Sequence, residues 1–293
     1  MRKSDPKGIA VIRAGAIGDT LVLFPLLAAL RARHRGARII SLGRTEVFDL
    51  AVEEGLCDAA FSPDSAAIWK LRTPDLAVTR EEVSIFDGIG TVLDFDGGEL
   101  SKERLEFLGI ERWRTLRPLP PDEFAAPAAS FYLEQAGLAG FPHFVMSSRA
   151  SARPAGRAAA VAILPGAGSP RKRAPARWFA AISRRARRRG MEVALVSGEA
   201  DAEAIRNYEA AGGVADVRLA SLPLAELRRR LAECGCFVAN DSGIAHLAAW
   251  VGLPGIVGFV STDPRVWAPP APAVIPTYPQ RGGIRRGSRA RAR

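Results

Sequence analysis

Cysteine, long apolar runs and, at one end, acidic residues are what this sequence of 293 residues has little of. Three cysteines, Cys57, Cys234 and Cys236, are too few and too oddly numbered for the disulfide framework of a secreted chain. Cys234 and Cys236 flank a helix-to-strand junction, where thiols serve as small buried hydrophobes, and no further ligands stand nearby to make a metal site. No stretch reaches the roughly 20 apolar residues that a membrane-spanning helix needs. The run from Leu21 to Leu30 follows Arg2, Lys3 and Lys7, yet Asp19 at its start, Pro25 inside it and the lack of a small-residue cleavage site before Arg31 and Arg33 argue against a signal peptide. A cytoplasmic location is expected. Acids are missing from Arg281 to Arg293, which holds six arginines and leaves +4 of the net charge of +10 to the rest of the chain. Such a tail reads as disordered and suited to phosphate-rich surfaces. With no interleaved aromatics and no recognised module, a nucleic-acid partner is not expected.

What is present describes a globular chain long enough for two domains, 48% apolar and 25% charged. Short β-branched runs alternate with helical patterns, the signature of parallel sheets covered by helices. Strands are expected at Ile9 to Ile12, Arg38 to Leu42, Leu76 to Val78 and Thr91 to Phe95, with one helix from about Thr20 to His34. In the second half, strands are expected at Ala160 to Leu164, Glu192 to Val196, Cys236 to Ala239 and Gly255 to Phe259. Helices there fall near Ala176 to Arg189, Ala200 to Ala211, Leu224 to Ala232 and Ile244 to Val251, and the arginines of 184–189 read as a solvated helix face. The aperiodic, Ser-, Ala-, Arg-, Pro- and Gly-rich stretch at 147–157 reads as a linker. The expected domains are therefore 1–146, 158–275 and a basic disordered tail at 276–293. Two Rossmann-like parallel-sheet domains of this α/β class face a cleft, with ligands at the carboxyl ends of the strands.

Three stretches carry chemistry. Arg13-Ala14-Gly15-Ala16-Ile17-Gly18-Asp19 runs from a strand into a helix; its glycines allow close backbone approach, and Asp19 reads equally as a helix cap. It is neither a Walker loop nor a full dinucleotide fingerprint. Leu164-Pro165-Gly166-Ala167-Gly168 followed by Arg171, Lys172 and Arg173 offers free amides and a flexible cation to a diphosphate. Asn240-Asp241-Ser242-Gly243-Ile244-Ala245-His246 joins a strand to a helix N-terminus suited to a phosphate, with Asp241 and Ser242 also readable as caps. Asp94-Phe95-Asp96 has the spacing of a metal-binding DxD, but it ends a first-domain strand and reads as a turn; no metal site is expected.

Taken in order, these stretches resemble glycosyltransferase family 9, the ADP-heptose:lipopolysaccharide heptosyltransferases, over roughly Gly8 to Pro269. The opening resembles the family's Arg-x-Gly-x-hydrophobic-Gly-Asp, and Lys172, Asp241, Ser242, Gly243, His246 and Thr262-Asp263-Pro264 fall in its later motifs. Ala174 stands where the family has tryptophan, Val260-Ser261 where it has Gly-Pro, and an arginine tail where it has a closing helix. The resemblance implies a two-domain GT-B fold and an inverting, metal-independent transfer of heptose from ADP-heptose to a lipopolysaccharide core. Asp19 would be the general base. Gly166, Ala167, Lys172, Asp241, Ser242, Gly243 and His246 would hold the donor, and Arg13, Gly15 and Gly18 would form an acceptor-side loop. No cofactor is implied beyond the ADP-sugar substrate; the partners are that donor and an anionic glycolipid, with the tail contacting the inner membrane. Rival readings are a GT-B enzyme for another nucleotide sugar and a sugar-nucleotide binder without turnover.

Overall fold

The computed structural model describes residues 7–62, 64–73, 76–98, 100–141, 160–280 and 283–286. The chain divides into two compact units, Met1–Phe124 with Ala128–Phe144, and Val145–Arg293 with Ala125–Pro127. The expected linker at 147–157 lies outside the described residues.

The first unit runs β1 (Gly8–Arg13), α1 (Ile17–Leu21), α2 (Phe24–Arg33), β2 (Ile39–Gly43), α3 (Thr45–Glu53), β3 (Ala59–Phe61), α4 (Ala66–Arg72), β4 (Ile89–Asp94), α5 (Lys102–Leu108), β5 (Arg112–Thr115) and α6 (Ala128–Gln135). Its five strands are parallel, in the order β3-β2-β1-β4-β5. Every residue of β1 and β2 is buried, which is why both read as continuous apolar runs rather than as alternating ones. The single helix expected over Thr20 to His34 is two. Pro25 sits in the first turn of α2, and having no amide it cannot continue the ladder from α1, so the chain restarts there. The strand expected at Leu76 to Val78 is irregular chain. The Arg104 guanidinium donates to the carbonyls of Lys70, Thr73 and Leu76 at 2.7, 2.7 and 2.9 Å, fixing this segment as a loop.

The second unit runs β6 (Val161–Leu164), α7 (Ala176–Arg188), β7 (Val193–Ser197), α8 (Ala202–Ala210), β8 (Val217–Ala220), α9 (Leu224–Ala232), β9 (Cys236–Asn240), α10 (Gly243–Trp250), β10 (Gly255–Gly258), α11 (Pro264–Trp267), β11 (Val274–Gln280) and β12 (Gly283–Arg286). The sheet order is β12-β11-β10-β9-β6-β7-β8, parallel except for the antiparallel β11–β12 pair. Of the residues expected as a disordered tail, 276–280 belong to β11 and 283–286 form β12, whereas 287–293 lie outside the described residues. Phe259 N–H donates to the Thr277 carbonyl at 2.8 Å and Gly255 N–H to that of Ala273 at 3.1 Å. By strand alternation the N–H that Pro276 lacks would have pointed away from β10, so this proline leaves the ladder intact.

The two units repeat one device at their β-strand starts. Asp58 accepts from the Ile39 amide at the head of β2, at 2.6 Å, and pairs with Arg31 of α2 at 2.9 Å. Asp216 accepts from the Val193 amide at the head of β7, at 2.9 Å, and pairs with Arg187 of α7. In each unit one carboxylate therefore ties the second strand, the entry to the third and the helix that precedes the second strand. Among the described residues, no helix is long and apolar enough to cross a membrane.

Candidate functional site

In the second unit the expected donor residues converge at the carboxyl ends of β6, β9 and β10. Asn240, the last residue of β9, is fully buried. Its side-chain oxygen accepts from Ala174 N–H at 2.8 Å, and its amide donates to the carbonyls of Pro165 at 2.8 Å and Gly166 at 3.4 Å. One side chain thus pins both ends of the loop that leaves β6. The loop also carries a short 3-10 turn, Pro170–Lys172, capped by Ser169, whose hydroxyl accepts from Arg171 N–H. Held at both ends, it delivers the Lys172 ammonium to Asp241, 2.9 Å away. The same Asp241 oxygen accepts the Thr262 hydroxyl at 2.7 Å. Asp241 is buried, while the Lys172 side chain keeps 35% of its surface exposed, so the cation is anchored yet open to solvent.

Gly166 is required by close approach. A Cβ there would lie 2.2 Å from the carboxylate of Asp201, which itself accepts from Gly198 N–H at 2.8 Å. Ala167 is buried beside it. Ser242 is extended and caps α10, accepting from Ala245 N–H at 3.3 Å. Ahead of that bond, the Gly243 and Ile244 amides have no acceptor among the described residues, and they point their dipoles out of the helix start. His246 is buried in α10. A partly exposed ammonium beside uncapped helix amides is an anion receptor of the type that holds a diphosphate.

In the first unit the loop after β1 is folded back on itself. Ala14 N–H donates to Asp96 at 2.7 Å, and Ala16 N–H to Asp19 Oδ2 at 3.2 Å. Arg13, expected as part of an acceptor-side loop, has its side chain turned inward. Its side chain is 6% exposed, and its guanidinium lies 3.8 Å from Asp19 and 3.9 Å from Asp96. A Cβ on Gly15 would stand 2.7 Å from that of Asp19 and 3.0 Å from the Arg13 Nε, so glycine is what lets the loop close over this pair. Gly18 is half-buried in α1. Asp19 Oδ2 takes both contacts; Oδ1 has no partner among the described residues, and the side chain is 34% exposed. A carboxylate tethered by one oxygen and open at the other has the geometry of a proton acceptor. Beneath the loop, burial pushes the Tyr132 hydroxyl up to about 12, with Arg13 pulling it down and Asp19 adding to the rise.

The Asp94-Phe95-Asp96 stretch is spent on backbone. Asp94 is fully buried and accepts from Asp96 N–H at 2.8 Å and Gly98 N–H at 3.0 Å. Among the described residues, no group of three or more His, Cys, Asp or Glu is arranged to hold a metal ion. Sequence reasoning overlooked Asn240 as more than a strand end, along with Asp201. The available signal was a polar side chain closing an otherwise apolar buried strand.

Two parallel-sheet α/β units with loops at the carboxyl ends of their strands are the architecture of GT-B glycosyltransferases. Residues 124–280 match the model of glycosyltransferase family 9 (heptosyltransferase), and the chain belongs to that family. Its fold is similar to that of a glycosyl transferase family 9 protein from Veillonella parvula, with a TM-score of 0.70 and 17% identity over 94% of this chain and 88% of that one. It is similar to ADP-heptose lps heptosyltransferase II of E. coli, with a TM-score of 0.64 and 20% identity over 92% and 89%. It is also similar to the E. coli heptosyltransferase WaaC solved with ADP, with a TM-score of 0.61 and 13% identity over 92% of each chain. No curated protein matches the sequence.

Proposed function

We propose that this glycosyltransferase moves heptose from ADP-heptose to a hydroxyl of a lipopolysaccharide core or related glycan, with inversion and without a metal ion. The observation that carries the reading is the anchored Lys172–Asp241 pair at the start of α10, joined by Thr262. It supports the reading because a fixed cation beside open amides suits the charge of a departing nucleoside diphosphate. The acceptor oxygen attacks the anomeric carbon from the face opposite the diphosphate. As the new C–O bond forms, the bond to the diphosphate oxygen breaks and ADP departs with the electron pair. The acceptor proton passes to Asp19, a role typically worth ~10²–10⁴ in rate. Charge growing on the leaving group is met by Lys172 and the Gly243 and Ile244 amides.

Calorimetric titration of ADP, UDP and GDP, with EDTA and separately with Mg²⁺ or Fe²⁺, tests the site. ADP binding in EDTA that Lys172→Ala and Asp241→Ala each weaken at least tenfold supports it. Heptosyl transfer lost in Asp19→Asn, with ADP affinity kept, supports the base. If the folded protein binds no nucleotide, the donor site is refuted; binding or transfer that appears only with Mg²⁺ or Fe²⁺ refutes metal independence. The anionic glycolipid acceptor suits the basic chain, and contact of Arg281 to Arg293 with the cytoplasmic face of the inner membrane is part of the same proposal. Cosedimentation with anionic vesicles, lost on deleting those residues, is its check.

A further inference from the structure

Among the described residues, the sheet of the second unit is unevenly covered on the face that carries α7. Val238 on β9, Ile256 on β10 and Ile275 on β11 stand directly opposite one another across the ladder. Their exposure climbs from 4% at Val238, through a half-buried Ile256, to 59% at Ile275. This apolar row opens into a groove of about 340 Å³, bounded on one side by the last turns of α7 and floored by the first residues of β6, β9, β10 and β11. These are the strand ends opposite those that carry Lys172 and Asp241, so the groove does not belong to the donor site. Parallel sheets are ordinarily buried on both faces by helices, and an apolar patch rimmed by charge marks an interaction surface.

The rim is cationic. Arg185 and Arg189, one helical turn apart, both line the groove, and among the described residues neither has an ion-pair partner. Their neighbours on α7 are engaged: Arg184 donates to the carbonyls of Ala211 and Gly212, and Arg187 pairs with Asp216. The arginine run read from sequence as a solvated face therefore contains two exposed members that also border an apolar trough. The chain's own segments at 1–6, 142–159 and 287–293 are net basic, the same sign as the rim, so charge complementarity favours an acidic occupant over any of them.

We propose that this groove docks an acidic amphipathic helix of a partner protein. Its apolar stripe would lie over Cys236, Ile256 and Ile275, and carboxylates spaced i, i+4 along its flank would pair with Arg185 and Arg189, the helix-in-groove mode with charges setting the register. Because the groove lies at the far ends of the strands, docking leaves the donor loops accessible.

The test uses the full chain and fluorescence anisotropy of a short labelled helical peptide with a leucine stripe and glutamates flanking it. An otherwise identical peptide carrying lysines serves as control. The glutamate peptide should bind, and the lysine peptide should bind at least tenfold more weakly. Arg185→Glu with Arg189→Glu should invert that preference, and Ile275→Asp should abolish binding of both peptides. All three positions are exposed, so melting temperatures should stay at the wild-type value, and the gain of lysine-peptide binding cannot arise from misfolding. Failure of the glutamate peptide to bind, or binding indifferent to these substitutions, overturns the proposal. Concentration-dependent self-association that Ile275→Asp removes also overturns it, by assigning the groove to a second copy.

Discussion

Replacing Asn240 tests whether one buried amide holds the donor loop. Asn240→Ala leaves Ala174 N–H and the Pro165 carbonyl without the partners they now have at 2.8 Å, and it also removes the longer contact to Gly166 at 3.4 Å. An unsatisfied buried polar group costs about 1–3 kcal/mol. Two such groups sum to about 2–6 kcal/mol, the second carbonyl contact being too long to add much, and since single substitutions rarely exceed about 4 kcal/mol the expected loss is about 2–4 kcal/mol. For a unit of this size that corresponds to a fall in melting temperature of about 5–15 °C. Because Lys172 rides on the same loop, ADP affinity should fall at least tenfold in calorimetry. Asn240→Asp sharpens the test. The new carboxylate still accepts from Ala174 but faces two carbonyls it cannot donate to, so burial and these oxygens raise its pKa in the folded state above the ordinary value of about 3.9. A raised folded pKa means the favourable protonated form contributes fully below the unfolded pKa and is lost as pH rises through the folded one. The stability gap between Asn240→Asp and wild type should therefore widen from acid toward neutral pH. A pH-independent gap in urea melts, or Asn240→Ala within about 0.5 kcal/mol of wild type, would refute this account of the loop.

Gly166→Ala should cost about 1–3 kcal/mol, because its methyl would meet the Asp201 carboxylate at 2.2 Å; adding Asp201→Ala should recover most of that loss, and additive single effects in thermal melts would count against the contact. Gly15→Ala should displace Asp19, whose Cβ would be 2.7 Å away, lowering kcat for heptosyl transfer by about 10² with ADP affinity unchanged; unchanged kcat would separate the loop from the chemistry. The Val193 amide and, after it, Arg187 hold the Asp216 carboxyl below its ordinary 3.8, so its contribution is present above that value and lost as pH falls through the folded one. Asp216→Asn should cost about 0.5–1 kcal/mol at neutral pH, after allowance for solvent screening, and the difference from wild type should vanish in acid; a constant difference in melts across that range would contradict the linkage.

The central strands were legible because burial on both faces writes itself into composition: β1, β2 and β6 are apolar at nearly every position. The edge strands were not. β5 is mostly exposed and reads Arg-Trp-Arg-Thr, and β8 buries only Leu219, so neither has an apolar signature and each is made a strand by its neighbour's ladder. Leu76 to Val78 has the composition without a neighbour and stays a loop. Prolines hid β11, since their cost depends on which side of the strand needs an N–H. In the site, the glycine loops and the Ser242 cap were readable because their geometry is local. The partners of Asn240 lie 66 to 75 residues away, and no local pattern announces such a contact.

The two units differ most instructively at one equivalent place. Taking β1 with β6 and β4 with β9, the two sheets share an order, and Asp94 and Asn240 are each the last, fully buried residue of the matching strand. A carboxylate only accepts, so Asp94 gathers amides and folds its own strand's exit loop around itself, through Asp96 and Gly98. That loop then returns Asp96 to the Ala14 amide and stands near Arg13, which in turn sits by Asp19. A carboxamide both donates and accepts, so Asn240 reaches across to the neighbouring strand's loop and holds carbonyls and an amide together. One atom's difference at a strand end thus sets which loop is fixed: in the first unit the chain that carries Asp19, in the second the chain that carries Lys172. The Asp-x-Asp spacing that imitates a metal site in the first unit follows from the same requirement, since both carboxylates close its loops: the two Asp94 oxygens and Asp96 Oδ2 accept from backbone amides, and Asp96 Oδ1 faces Arg13.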